Sequence, residues 1–318
     1  MKKFFTLILC LSVTAMVTKA QKAEMAKAIV RYKFSHIRDT TAKDKPYTEN
    51  MVLFLGETAS AYKSYDRKLQ DALMKKQIEQ QMADQKGSTN FNIKVTGTKA
   101  TTRSEIYQFP AMNKLMRKES LITPYLIEET MPAISWKISA DTASFGTLLC
   151  QKATTHFKGR DYTAWFCPDL PYHVGPWKLN GLPGLIVEAY DTNKEVMFKF
   201  DGLEQVTATE KPALAAEPAP GSTAIKFGGL EDDSNNPNLI AVPSNAVKTT
   251  EKEFNKLQDA MRKDPQAFMA AMGGGAGPGG GTIRTSGPMP TGAVRTVVNV
   301  GPGTGPVTNN PLELPEKK

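Results

Sequence analysis

The chain has 318 residues, 40 Lys and Arg against 32 Asp and Glu, and a formal charge of +8. That length carries a prior of about two domains, but 12 of the 24 glycines crowd between Gly273 and Gly305, and such a segment buries too little apolar surface to build a second core. No compact Lys/Arg block with interleaved aromatics occurs, which argues against nucleic acid as a partner, and beyond the N-terminus no apolar run approaches the ~20 residues of a membrane span, so an integral membrane protein is not expected.

The first twenty residues, MKKFFTLILCLSVTAMVTKA, place two lysines before an apolar stretch and small residues at its end. This is the layout of a secretory signal peptide over residues 1–20, and it predicts an exported protein of the periplasm, cell surface or outer membrane. Leu9 stands before Cys10 where a lipid-attachment box needs a small residue, so lipidation is not expected. Cleavage after Ala20 would remove Lys2, Lys3 and Lys19, leaving 298 residues with a charge of +5.

Residues 21–210 read as the core. AIVRYKFSH from Ala28 alternates like a half-buried strand, and MVLFLGE (51–57) and TASAYKSY (58–65) follow as two more. From Asp66 to Met82 the period changes: Leu69, Leu73, Met74 and Ile78 recur at helical spacing among Lys, Gln and Glu. Strands are then predicted over 102–110, 119–129, 134–139, 146–157, 160–167, 185–191 and from Glu195 onward. Short connections and many short strands predict a mainly β fold with a few helices. The expected architecture is an antiparallel meander forming a curved sheet or half-barrel, with helix 66–82 as its lid. Residues 211–247 have linker composition. A helix is predicted over 248–272, with Thr250 and Glu253 spaced for a capping box and Pro265 breaking or restarting it. The tail 273–318 is Gly/Pro-rich and irregular, with one strand possible in GAVRTVVNV (292–300).

The segment HFKGRD fixes a register. Lys158-Gly159 is a two-residue type I′ hairpin signal. If it forms the loop, Phe157 faces Arg160 and the ladder brings Cys150 opposite Cys167, in a non-hydrogen-bonded pair with Cα atoms about 4.5 Å apart. For an exported chain this predicts a Cys150–Cys167 disulfide, nominally worth ~3 kcal/mol. The same register sets His156 opposite Asp161. That pair could be an acid/base dyad, but no nucleophile or third group is placed with it. A cross-strand polar pair at a hairpin tip is the expectation.

GPWKLNGLPGLIVEAYD (175–191) is the most distinctive stretch. Gly175-Pro176 and Pro183-Gly184 are turn dipeptides, and a type II turn would require positive φ at Gly184. Pro183 holds Leu182 extended, and Leu185 and Ile186 then enter a strand. No helix and no Lys-Ser/Thr follow, so a phosphate cradle is excluded. The expected role is a corner held by Trp177 and Leu182 packing inward. Gly181 to Ile186 spell GLPGLI, and with ISWKI around Trp136, CQKATTHFKGRDYTAWF and a late NNPLEL (309–314) the chain resembles the GLPGLI family of exported proteins of Bacteroidetes-type bacteria. The resemblance implies an envelope address and a β-rich fold, and it brings no catalytic residues.

His36, His156 and His173 lack metal-ligand spacing, so neither a metal nor a cofactor is expected. Met261, Met269 and Met272 read as helix packing rather than a soft-metal site. The sequence therefore points to a non-enzymatic binding or carrier module for a lipid or apolar ligand. The alternatives are a protein-interaction subunit of an outer-membrane or surface complex and, below that, an enzyme using His156 and Asp161.

Overall fold

The computed structural model describes residues 23–84, 100–206, 237–271 and 308–316. The expected signal peptide, the linker composition before residue 237 and the strand expected at 292–300 lie outside those residues.

The elements run β1 (Glu24–Met25), β2 (Ala28–His36), β3 (Tyr47–Leu55), β4 (Ser60–Ser64), α1 (Tyr65–Asp84), β5 (Glu105–Phe109), β6 (Lys114–Ser120) and β7 (Pro124–Thr130). They continue as β8 (Lys137–Phe145), β9 (Leu148–Phe157), β10 (Arg160–Cys167), β11 (Leu185–Asp191), β12 (Val196–Gln205), β13 (Leu239–Ile240), β14 (Val247–Thr249), α2 (Glu251–Lys263) and α3 (Pro265–Ala271). Twelve strands form one large curved sheet that does not close, in the order β14-β7-β6-β5-β4-β3-β2-β12-β11-β10-β9-β8. Every pairing in it is antiparallel except β14 with β7. The chain lays down β2 to β7 as a meander in one direction, then starts again at the opposite edge with β8 and works back. The two meanders meet where β12 pairs with β2, from Val196↔His36 to Gln205↔Ala28.

Alternation explains the faces. Val30, Tyr32 and Phe34 of β2 point to the same side as Met51 and Leu53 of β3, into the larger core. Val52 and Phe54 of β3 point to the other side, with Ala61, Tyr107 and Met116. The continuous apolar run in β3 thus reflects burial on both faces. The segment 119–129 is two strands rather than one. The chain reverses at Leu121 to Thr123, so that Ser120 pairs with Pro124 at the start of β7, and the charged alternation of KLMRKES hid β6.

α1 differs from its expected position. Lys68 lies over the Phe54 ring at 5.2 Å, on the face opposite Met51 and Tyr62, and Leu69 and Leu73 remain exposed. Its start is fixed locally: the Ser64 hydroxyl accepts from the Arg67 N–H, and Asp66 accepts from Asn50 of β3. The helix therefore covers the back of the sheet rather than its concave side. α2 begins at the predicted capping box, with Thr250 accepting from the Glu253 N–H and the Glu253 carboxylate accepting from the Thr250 N–H. The chain restarts as α3 at Pro265.

Candidate binding cavity

Two local devices build the concave side. The first is the β9–β10 hairpin. Lys158 and Gly159 both have positive φ (53° and 70°), as a type I′ loop requires, and the register runs from Arg160↔Phe157 through Asp161↔His156 to Phe166↔Gln151. A Cβ on Gly159 would lie 2.7 Å from Leu314 Cβ, so glycine here also admits a second segment of chain.

That segment is residues 308–316, a strap bound across the hairpin. The Leu314 N–H donates to Lys158 O, and the Asn309 and Asn310 N–H groups donate to Arg38 O. Its anchor is Arg160, whose side chain is only 3% exposed. The guanidinium donates to Asp191 (2.8 Å), Asn310 Oδ1 (2.6 Å), Pro311 O (2.8 Å) and Leu312 O (3.1 Å). Asn310 returns the contact by donating to Ile37 O and to Glu195. The NNPLEL string is thus tied to the sheet without regular secondary structure, with Asn310 buried and Leu312 packed against the larger core.

The second device is the Gly-Pro-Trp corner. Trp177 has φ +55° at the first central position of a turn closed by Leu179 N–H to Pro176 O, a place where glycine is usual. Surroundings hold it there: Gln108 of β5 donates to Trp177 O at 2.9 Å, and the indole packs near Phe157 and lies parallel to Phe198. Lys178, also buried, bonds Glu129 and Glu313 at 3.0 Å each. Burial pushes the Glu313 carboxyl up, but Lys178 and Lys158 outweigh that and leave it below the ordinary carboxylate value.

Strap, corner and sheet line a half-open cavity of about 720 Å³. Its floor is apolar: Phe34, Met51, Tyr62, Ile106, Trp177 and Phe198. Its rim is charged. Arg117 pairs with Glu119, Glu129 and Glu251, and Lys158 with Glu313. Arg38 instead stacks on the Tyr47 ring, 3.4 Å from its centroid. The Tyr47 hydroxyl donates to Glu49, whose carboxylate also accepts from Ser64 and Thr102. His36 lines the cavity with its Nε2 unpartnered among the described residues, as is the Tyr62 hydroxyl. Burial, then the neighbouring Arg38 and Arg160, push His36 down to about 4, so its ring is neutral at pH 7.

The residues singled out from sequence fall in different places. Leu182, Gly184, Leu185 and Ile186 are buried in the core, whereas Gly181 and Pro183 are exposed. Gly184 has positive φ (154°), yet the turn is not type II: its N–H donates to Leu182 O at 2.8 Å, while Leu185 N–H goes to Leu170 O. Glycine is required because a Cβ there would lie 2.2 Å from Cys167 O. Gly175 is needed for a similar reason, against Ile186 at 2.7 Å. His156 and Asp161 meet at 2.6 Å, but at the exposed hairpin tip outside the cavity, and Glu316 of the strap takes the other ring nitrogen at 2.8 Å. The arrangement is a clasp on the strap's end.

The expected disulfide is not formed. Cys150 and Cys167 are both buried free thiols. The ladder stops one pair short of them, at Phe166↔Gln151, and β10 shifts register against β11 beside Phe166. The Cys150 thiol donates to Leu148 O at 3.9 Å, and burial, then the neighbouring Cys167, pushes it up to about 12. Sequence reasoning missed Arg38, His36 and the strap as cavity walls. The signal available was NNPLEL, an apolar-centred string too ordered in pattern for a disordered tail.

Against known proteins, a family model described as "Protein of unknown function (Porph_ging)" matches residues 155–188. That span holds the hairpin tip, the Trp177 corner and GLPGLI. No curated protein matches. Two solved structures of PNGF-II, in P21 and C2 space groups, are similar at 10% identity, with TM-scores of 0.45 and 0.42. They cover 73% and 72% of this chain, and the chain spans 32% of theirs. Among the described residues no helix is long and apolar enough to cross a membrane, and no group of three or more His, Cys, Asp or Glu could hold a metal ion.

Proposed function

We propose that the protein is an exported, non-enzymatic binding module that takes an apolar or amphipathic small ligand into the cavity between sheet, corner and strap. The observation that carries this reading is the cavity itself: about 720 Å³ with an aromatic floor and a charged rim, within the ~300–1,000 Å³ usual for ligand pockets. The concave side of a half-barrel filled solidly by side chains would leave no such room. The strained Trp177 backbone adds support, since strain of this kind concentrates at functional positions. His156 and Asp161 are not among the residues lining the cavity, so the acid/base reading gains nothing from it. Native mass spectrometry of the protein purified from its own envelope tests the proposal. An adduct of a few hundred daltons, lost on denaturation, is expected; a ligand-free mass together with a firmly co-purifying protein would favour the accessory-subunit reading instead. That second reading rests on β8, an edge strand that leaves Ile138 exposed, with Leu149 of the neighbouring β9 exposed farther along, opposite Ser144.

A further inference from the structure

The cavity's charge is distributed unevenly, and this bears on the chemistry of its occupant. On the side made by β6, β7, the corner and the strap, three cations (Arg117, Lys158, Lys178) are matched by four carboxylates (Glu119, Glu129, Glu251, Glu313). Among the described residues no lining cation there is left unpaired. At the β2 end the pattern reverses. Arg38 makes no ion pair among the described residues and is held flat by Tyr47, with its own backbone carbonyl pinned by Asn309 and Asn310. A guanidinium fixed from one side presents its remaining N–H groups in a planar fork suited to a carboxylate. Beside it, His36 is 4% exposed, and the unpartnered Nε2 is a buried polar atom that costs free energy until something meets it. Tyr62, 6% exposed, has an unpartnered hydroxyl on the same cavity wall. Between these polar points lie Phe34, Phe198 and Met51.

We infer that the ligand is an amphipathic monoanion, its carboxylate on Arg38 beside His36 and its apolar body along the Phe34–Phe198–Trp177 floor. This rests on the cavity reading above and sharpens it. A cationic head is disfavoured at the Arg38 end by like charge. A neutral head leaves Arg38 without a counter-charge in a partly enclosed site. The strap matters because Asn309 and Asn310 hold the Arg38 backbone while Pro311 and Leu312 complete the wall.

The test is calorimetric titration of the full chain, below micelle-forming concentrations, with decanoate, decanol and decyltrimethylammonium, which share one tail. Decanoate is expected to bind at least tenfold more tightly than decanol, with the cation weakest. Arg38→Gln should bring decanoate down to the level that decanol shows on the same variant, while Arg38→Lys, which keeps the charge, should retain part of the preference. Equal binding of all three tails, or a decanoate preference that survives Arg38→Gln, overturns the head assignment and leaves the cavity reading standing. Absence of binding by all three overturns both.

Discussion

Replacing Arg160 by Met tests whether the strap is part of the fold. Met keeps most of the length and apolar stem but removes the charge and five N–H donors. The Asp191 side chain, 3% exposed, would then keep only the Val196 N–H among its partners in the described residues, and Asn310 Oδ1 and two strap carbonyls would lose their donor. Removing one member of a buried ion pair typically costs about 3–5 kcal/mol, because the remaining charge stays buried without compensation. For a core of this size each kcal/mol lowers Tm by roughly 2–4 °C, so Arg160→Met should melt about 6–20 °C below the wild type. Thermal unfolding followed by circular dichroism gives the shift, and hydrogen exchange should show residues 308–316 losing protection before the sheet does. A loss under 1 kcal/mol, or a strap equally protected in both proteins, would refute the claim that Arg160 is its anchor.

Gly184→Ala would drive a Cβ to 2.2 Å from Cys167 O at a φ that side chains avoid, so a loss of about 2–5 kcal/mol is expected in denaturant titration; a near-neutral result would mean the corner is not close-packed. With Cys150 pushed up to about 12, on the order of one thiol in ten thousand is ionised at pH 8. Alkylation mapped by mass spectrometry should therefore spare Cys150 in the native protein and label Cys150 and Cys167 after unfolding; recovery of a linked pair of peptides would contradict the free-thiol state. On the back of the sheet, burial pushes the Glu105 carboxyl up, but Lys63 and Lys118, with Tyr107 also donating, outweigh it and hold it at about 2. Its folded value lies below the unfolded one near 4.5, so its contribution is full above that pH and fades as pH falls toward 2. Glu105→Gln should be less stable at pH 7 and show a shallower loss on acidification; an unchanged acid profile would refute this.

Much of the sheet was legible because its signals are local. Lys158-Gly159 has one favoured turn, and that turn sets every pair out to Phe166↔Gln151. Thr250 and Glu253 mark a helix start by spacing alone. Other features depend on distant partners. α1 carries apolar residues at helical spacing, yet Leu69 and Leu73 stay exposed, since periodicity says which residues share a face and not which surface that face meets. The register put Cys150 opposite Cys167, but the β9–β10 ladder ends at Phe166↔Gln151, one pair short of them, and a turn signal does not say where a ladder stops. The strap was hidden for a topological reason: Arg160 and Asn310 are 150 positions apart, and no short-range pattern links them. Trp177 is buried, and its left-handed backbone and its place in a cavity floor follow from Gln108 and Phe198, which a local reading does not reach.

The central claim is that a ligand-sized, half-open cleft lies on the concave side of the sheet. Titration of 1-anilinonaphthalene-8-sulfonate, an apolar anionic dye, into the native chain and into Ser104→Trp, which fills the space from its rim, tests this most directly. One saturable site per chain is predicted for the native protein, weakened at least tenfold in Ser104→Trp while Tm changes by no more than a few degrees. Equal dye binding by both proteins, or none by the native chain, would contradict it.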